Sequence, residues 1–273
     1  MVSAELSPAV YAPQPLSPFD GNNGQLSHRN LIASWYNPGV NTDERPEKPQ
    51  HLPEYAILCL EALSRSGLSD RLSLGGAIGL MHYYEYRTTH DVDAWWIRST
   101  SQRERQEVVS VLQETLAPFG EVRTRHWGDV VSIELRQEGK AVFSFQIAER
   151  SVILEPPQPS PWPGVLLDGL PDLISSKMTA LVERGAPRDF VDIYNLCREN
   201  IVTPQRCWEL WQFRQEAAEG EADRDRASLA VQLHLERIES HRPLAQITDP
   251  GGRESAKHLR RWFHEEFLNA AGK

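Results

Sequence analysis

Apolar positions along the chain change their period several times, and each change marks an element. After Pro53, Tyr55, Leu58, Cys59, Leu60 and Leu63 recur at helical spacing, and Gly67 offers a stop. A short apolar run then ends in Gly75-Gly76, and an apolar helical stretch continues through Tyr86. A basic, hydroxylated turn follows, and Asp91 and Asp93 open a second apolar run. This order predicts strand, glycine turn, helix, turn and acidic strand over Leu72–Trp96. Helical spacing returns over Ser99–Leu116, with Val108, Val109, Leu112 and Leu116 on one face and Pro118 and Gly120 as its end. Alternating runs over Val130–Arg136 and Ala141–Ala148, joined by Gln137-Glu138-Gly139-Lys140, predict a hairpin. The fold class is α/β (α+β), a mixed sheet with helices on its flank.

The second half reads differently. Residues 155–164, EPPQPSPWPG, are too rich in proline for a helix or a central strand, so a linker and a lobe boundary are expected there. Leu166–Leu173 leads into a helix that carries Lys177 and Arg184, seven apart and so on one face. Gly185-Ala186-Pro187 breaks it, and Arg188–Arg198 makes the next helix. Further helices are expected from Thr203-Pro204, over Asp223–Ser240 and over Glu254–Ala270, with breaks at Pro243 and at Pro250-Gly251-Gly252. Three regions result: an extended N-terminal arm over 1–52, an α/β lobe over 53–155 and a helical lobe over 165–273. The arm is rich in Pro, Asn, Ser and Gly, yet its Tyr11, Phe19, Trp35 and Tyr36 suit an extension packed over the protein's own surface.

Composition narrows the function. With 29 Lys+Arg against 38 Asp+Glu, the net charge of −9 argues against coating nucleic acid by bulk electrostatics, although a local basic cleft is compatible with it. Cys59, Cys197 and Cys207 are too few and scattered for a disulfide framework or a zinc cluster, which suits a reducing cytosol. No run has the length of a membrane span, and the N-terminus has no secretory-signal pattern, so a cytoplasmic protein with no membrane partner is expected.

Chemistry concentrates between Leu72 and Trp96. Glycines directly after a strand let the backbone approach a bound group, and a following helix points its amides at the same place, which suits phosphate. Residues two apart on a strand share a face, so Asp91 and Asp93 present two carboxylates side by side. A divalent ion holding a triphosphate is the common partner of such a pair. The stretch lacks the Lys-Ser/Thr ending of a P-loop and the third glycine of a dinucleotide fingerprint. Downstream, Lys177 reads as an unpaired lysine suited to a phosphate. Lys177, Arg184, Arg188, Asp189 and Asp192 also fit a salt-bridge network that fixes the helix pair, a reading at least as good as a functional one for Arg184, Arg188 and Asp189, and Asp189 and Asp192 lie three apart on one side of their helix. His82 and His90 have no third ligand at zinc spacing. Lys257, His258, Arg260 and Arg261 are the clearest basic cluster, better suited to a solvated helix face than to RNA phosphates.

Two blocks together carry a family likeness. Gly75, Gly76, Ala77, an apolar helix, Arg87, Thr88 or Thr89, Asp91 and Asp93 resemble the nucleotidyltransferase signature of AbiEii/AbiGii-type toxins, and Lys177–Leu196 resembles the family's second block. The likeness spans roughly residues 55–200. It implies a mixed-sheet nucleotidyltransferase lobe followed by a mainly helical one, with Asp91 and Asp93 holding Mg²⁺ and an NTP as substrate. Lys177 and an aspartate of the second block, Asp189 or Asp192, are implied to be needed for activity. The nucleotide-contacting set is then Gly75, Gly76, Ala77, Arg87, Thr89, Arg184 and Arg188. The likeness further implies the toxin of a toxin–antitoxin system, in a phage-defence setting, with an antitoxin as partner and an RNA end such as tRNA as acceptor.

One departure stands out. The fold commonly places a third carboxylate on the strand that here reads VFSFQIA, and the aligned residue is Gln146, a poor hard-cation ligand. Glu134 and Glu149 are the available substitutes, though each suits a surface charge better. Two other readings follow, a catalytically silent binding protein of the same fold and a small-molecule, antibiotic-modifying nucleotidylyltransferase.

Overall fold

The computed structural model describes residues 45–272, which belong to the unit Gly39–Lys273. The arm expected over 1–52 therefore lies outside the described residues, except for 45–52. That short piece lies along the body: Glu47 N–H donates to His82 O at 2.8 Å, and the Gln50 and His51 amides donate to the Glu85 carboxylate. Lys48 Nζ sits 3.9 Å over the Trp162 ring.

Helix α1 (Glu54–Ser66) buries Ala56, Cys59, Leu60 and Leu63 on the face that the spacing predicts. Strand β1 (Leu72–Leu74) follows, and then α2 (Gly76–Met81), β2 (Asp91–Trp96) and α3 (Gln102–Leu116). A capping box starts α3: the Ser101 hydroxyl accepts from Glu104 N–H, and the Glu104 carboxylate accepts from Ser101 N–H. Helix α2 stops at Met81 and does not run on through Tyr86. Tyr83, Tyr84 and Tyr86 leave the helix to pack against the second core, and that burial outweighs the residual helical pattern.

Strands β3 (Glu121–Trp127), β4 (Val130–Gln137) and β5 (Lys140–Ala148) complete the central meander. The β4–β5 hairpin closes at Glu138-Gly139, both at positive φ, with Gln137 opposite Lys140. Strand β3 was not evident in the pattern, because an edge strand that is largely exposed carries few apolar residues. Two further short strands, β6 (Gln158–Pro159) and β7 (Leu166–Leu167), extend the sheet, whose order is β3-β4-β5-β2-β1-β7-β6. The pairings β1–β7 and β2–β5 are parallel and the others antiparallel. Residues 155–164 are thus no free linker. Proline is tolerated on an edge strand, and Trp162 and Val165 are buried in the first core.

The remaining chain is α4 (Leu170–Glu183), α5 (Pro187–Arg198), α6 (Pro204–Ala217), α7 (Arg224–His241) and α8 (Pro250–Trp262). The helix expected from Glu254 begins at Pro250 instead, because Asp249 caps it and proline at the first position needs no hydrogen bond. One core lies between the sheet and α1 and α3, around Leu72, Val92, Leu112 and Phe145. The other lies among the later helices, around Met178, Phe190, Trp208 and Phe263. Helix α2 sits at their seam, with Ile78 in the first and Leu80 in the second.

Candidate active site

Burial along β2 alternates residue by residue, so Val92, Ala94 and Trp96 enter the core while Asp91, Asp93 and Trp95 share the opposite, half-buried face. The parallel pairing with β5 sets Ser144 opposite Asp91 and Gln146 opposite Asp93. An open cleft of about 420 Å³ lies at the Asp91 end of this face, with His90, Asp91, Glu134 and Ser144 in its wall.

The glycine turn packs against Asp93. Gly75 N–H donates to Asp93 O at 2.9 Å, so that amide serves the sheet. Gly76, at φ +57°, passes so close that a Cβ there would lie 2.1 Å from Asp93 Oδ2. Gly76 and Ala77 open α2, where first-turn N–H groups have no intrahelical acceptor. The Ala77 side chain is buried. Thr89 works within the turn: Asp91 N–H donates to Thr89 Oγ1 at 3.3 Å, which anchors the backbone of the first carboxylate.

The second block sorts into pairs. The expectation of an unpaired Lys177 is corrected, because Lys177 Nζ lies 2.8 Å from Asp192 Oδ2. Arg87 grips the same carboxylate with two hydrogen bonds, Nε to Oδ1 at 2.7 Å and Nη2 to Oδ2 at 3.1 Å. Arg184 forms a similar fork on Asp189, which also accepts from Ala186 N–H and so fixes the α4–α5 turn. Both aspartates are fully buried. Arg188 is exposed and makes no hydrogen bond or ion pair among the described residues.

Electrostatics link the two sides. Burial raises the Asp93 carboxyl above the ordinary aspartate range, and Asp91 adds to the rise, while Lys177, Arg188 and Arg184 oppose it. Burial alone would raise Asp192 too, but Arg87 and Lys177 outweigh it and hold that carboxyl low.

The substitutes for a third carboxylate are engaged elsewhere. Glu134 pairs with Arg125 at 3.5 Å and Arg136 at 3.4 Å, and Glu149 pairs with Arg105. Among the described residues no three His, Cys, Asp or Glu side chains are grouped to hold a metal. Asp91 and Asp93 nevertheless suit a hard cation by donor chemistry, since both are carboxylates on one face of β2 and Asp93 has no side-chain hydrogen bond or ion pair among the described residues. His82 is structural: its Nδ1 bonds Ile78 O at 2.8 Å, and its Nε2 accepts from Trp162 Nε1 at 3.1 Å. The basic residues near the C-terminus are matched locally, Lys257 and His258 by Glu254, Arg261 by Glu265, and Arg260 by Arg242 O.

Sequence reasoning missed a buried network beneath the turn. Arg150 pairs with Asp168 and lies 3.6 Å from Asp172, with its guanidinium 4.9 Å from the Trp95 ring centre. Ser73 Oγ donates to Asp168 Oδ1 at 2.9 Å, and Arg214 reaches Asp172 at 3.6 Å. This ties β1 and β2 to the start of α4, the helix that presents Lys177. The available signal was Asp168 and Asp172 within an otherwise apolar run.

Two carboxylates on one face of β2 beside the Gly75-Gly76 turn suit an enzyme of the nucleotidyltransferase class. The family model "Nucleotidyl transferase AbiEii toxin, Type IV TA system" matches residues 58–260. The chain belongs to that family. A solved structure described as a candidate nucleotidyltransferase from H. pylori is similar at 12% identity and a TM-score of 0.43, covering 79% of this chain and 94% of its own. No curated protein sequence matches the chain.

Proposed function

We propose that this nucleotidyltransferase works with a divalent cation, Mg²⁺, held by Asp91 and Asp93, and moves a nucleoside monophosphate from an NTP to an RNA end such as that of tRNA. The observation that supports this most is the pairing of the two carboxylates on one face of β2 with Gly76 packed directly against Asp93. A bound cation would neutralise the polyphosphate and the developing charge on the leaving group. The protein's own part is positioning. Amides at the start of α2 face the phosphates, and Lys177 and Arg188 supply positive charge across the cleft. The acceptor oxygen attacks the α-phosphorus, the bond to the β-phosphate oxygen breaks, and pyrophosphate leaves. In this reading the protein is the toxin of a pair, controlled by an antitoxin and acting in the cytoplasm.

A second reading draws on Gln146, which stands opposite Asp93 where a further carboxylate is expected: a binding protein without turnover. One assay separates them. The purified protein is incubated with labelled NTPs, Mg²⁺ and total tRNA, alongside Asp91→Ala, Asp93→Ala and Lys177→Ala. Label on tRNA that disappears in both aspartate variants is the expected result. Incorporation that survives those changes removes the metal assignment, and nucleotide binding without transfer to any acceptor supports the silent protein.

A further inference from the structure

The two carboxylates of the site are not equivalent. Asp93 makes no side-chain hydrogen bond or ion pair among the described residues, whereas Asp91 is held at two points. Its backbone N–H is taken by Thr89 Oγ1, and its Oδ1 accepts from Ser144 Oγ at 2.7 Å. Ser144 in turn accepts from Gln146 Nε2 at 3.3 Å. A hydroxyl has one hydrogen to give, so filling its acceptor side with an amide N–H leaves that hydrogen for Asp91. Ser144 is 8% exposed, and among the described residues its hydroxyl donates to Asp91 alone.

We propose that Ser144 is a positioning residue for the cation site, orienting Asp91 so that one carboxylate oxygen is held by the protein and the other is turned to the ion, with Gln146 acting through Ser144. The inference rests on the assignment of the cation to Asp91 and Asp93. It also gives Gln146 a purpose: a neutral amide–hydroxyl chain orients an existing ligand at the strand position where a further ligand is expected. Outer partners of this kind fix a ligand's orientation, and their loss commonly weakens metal binding ten- to a hundred-fold.

The test is Mn²⁺ binding by the full chain, read from the electron paramagnetic resonance signal of the free ion, with metal-free melting measured in parallel. Ser144→Ala is expected to weaken Mn²⁺ binding about ten-fold with little change in melting. Ser144→Thr, which keeps the hydroxyl, should restore it. Gln146→Ala should show a smaller loss, and none beyond that of Ser144→Ala when the two are combined. Wild-type affinity in Ser144→Ala, equal loss in Ser144→Thr, or a further loss in the double variant each overturns the relay. Asp91→Ala separates the two levels: if it binds Mn²⁺ like the wild type, the cation assignment itself is wrong, whatever Ser144 does.

Discussion

Gly76 and Asp93 occupy each other's space: a Cβ on residue 76 would lie 2.1 Å from Asp93 Oδ2 and 2.7 Å from its Cβ. The glycine sits at φ +57°, so the turn needs both its missing side chain and its backbone freedom. This contact sets how near the glycine turn comes to Asp93.

Gly76→Ala is therefore expected to lower transfer activity about a hundred-fold, because the overlap displaces Asp93 by an amount on the order of an ångström. Gly67→Ala is the control. It carries a similar backbone cost at φ +74° with nothing within 4 Å of the new Cβ, and it should keep full specific activity. Equal activity loss in the two variants would show that strain, and not contact with Asp93, is responsible.

Asp192 anchors two cations from within the protein, Arg87 and Lys177. Asp192→Ala leaves both without their carboxylate and should cost about 3–5 kcal/mol of stability. Lys177→Met, which leaves the Arg87 fork in place, should cost less while still removing activity. Since its folded carboxyl is held below the ordinary 3.8, the contribution of Asp192 is present above that value and is lost as pH falls through the lower one. Denaturant midpoints measured at neutral pH and near pH 3 check both statements; an unchanged midpoint in Asp192→Ala would refute them.

His82 is held neutral by burial, which lowers its imidazole below 6.5 despite the bond to Ile78 O. The unfolded chain takes up a proton at that position first as pH falls, so stability contributed above 6.5 is lost as pH drops toward the folded value. Trp162 Nε1 would also lose its acceptor on protonation. Thermal melting between pH 7.5 and 5 should fall less steeply in His82→Gln than in the wild type. Parallel slopes would show that another group controls this range.

Arg188 and Arg184 are neighbours with different duties. Arg188→Gln removes an exposed cation without a partner among the described residues, so it should raise KM for the NTP about ten-fold and leave melting unchanged. Arg184→Gln breaks the fork on the buried Asp189 and should lower the melting temperature first. A reversal of these two patterns in steady-state kinetics and calorimetry would reassign the phosphate contact.

What could be read from the residues alone is local. The i, i+2 spacing of Asp91 and Asp93 and the glycines after a strand depend on backbone stereochemistry over a few residues, and so does the β4–β5 turn. Any chain with that stretch places the two carboxylates on one face. The family-like blocks were legible for the same reason, as short strings whose geometry is set nearby.

Tertiary structure alone decided which charges meet. Arg87 and Asp192 are 105 residues apart, Asp91 and Ser144 53, and Ser73 and Asp168 95. Spacing cannot say that Lys177 is already paired, that Arg188 is not, or that a proline-rich stretch becomes a sheet edge. Those outcomes follow from strand order and from two cores meeting at α2, where burial sets Asp192 against Arg87 and Lys177.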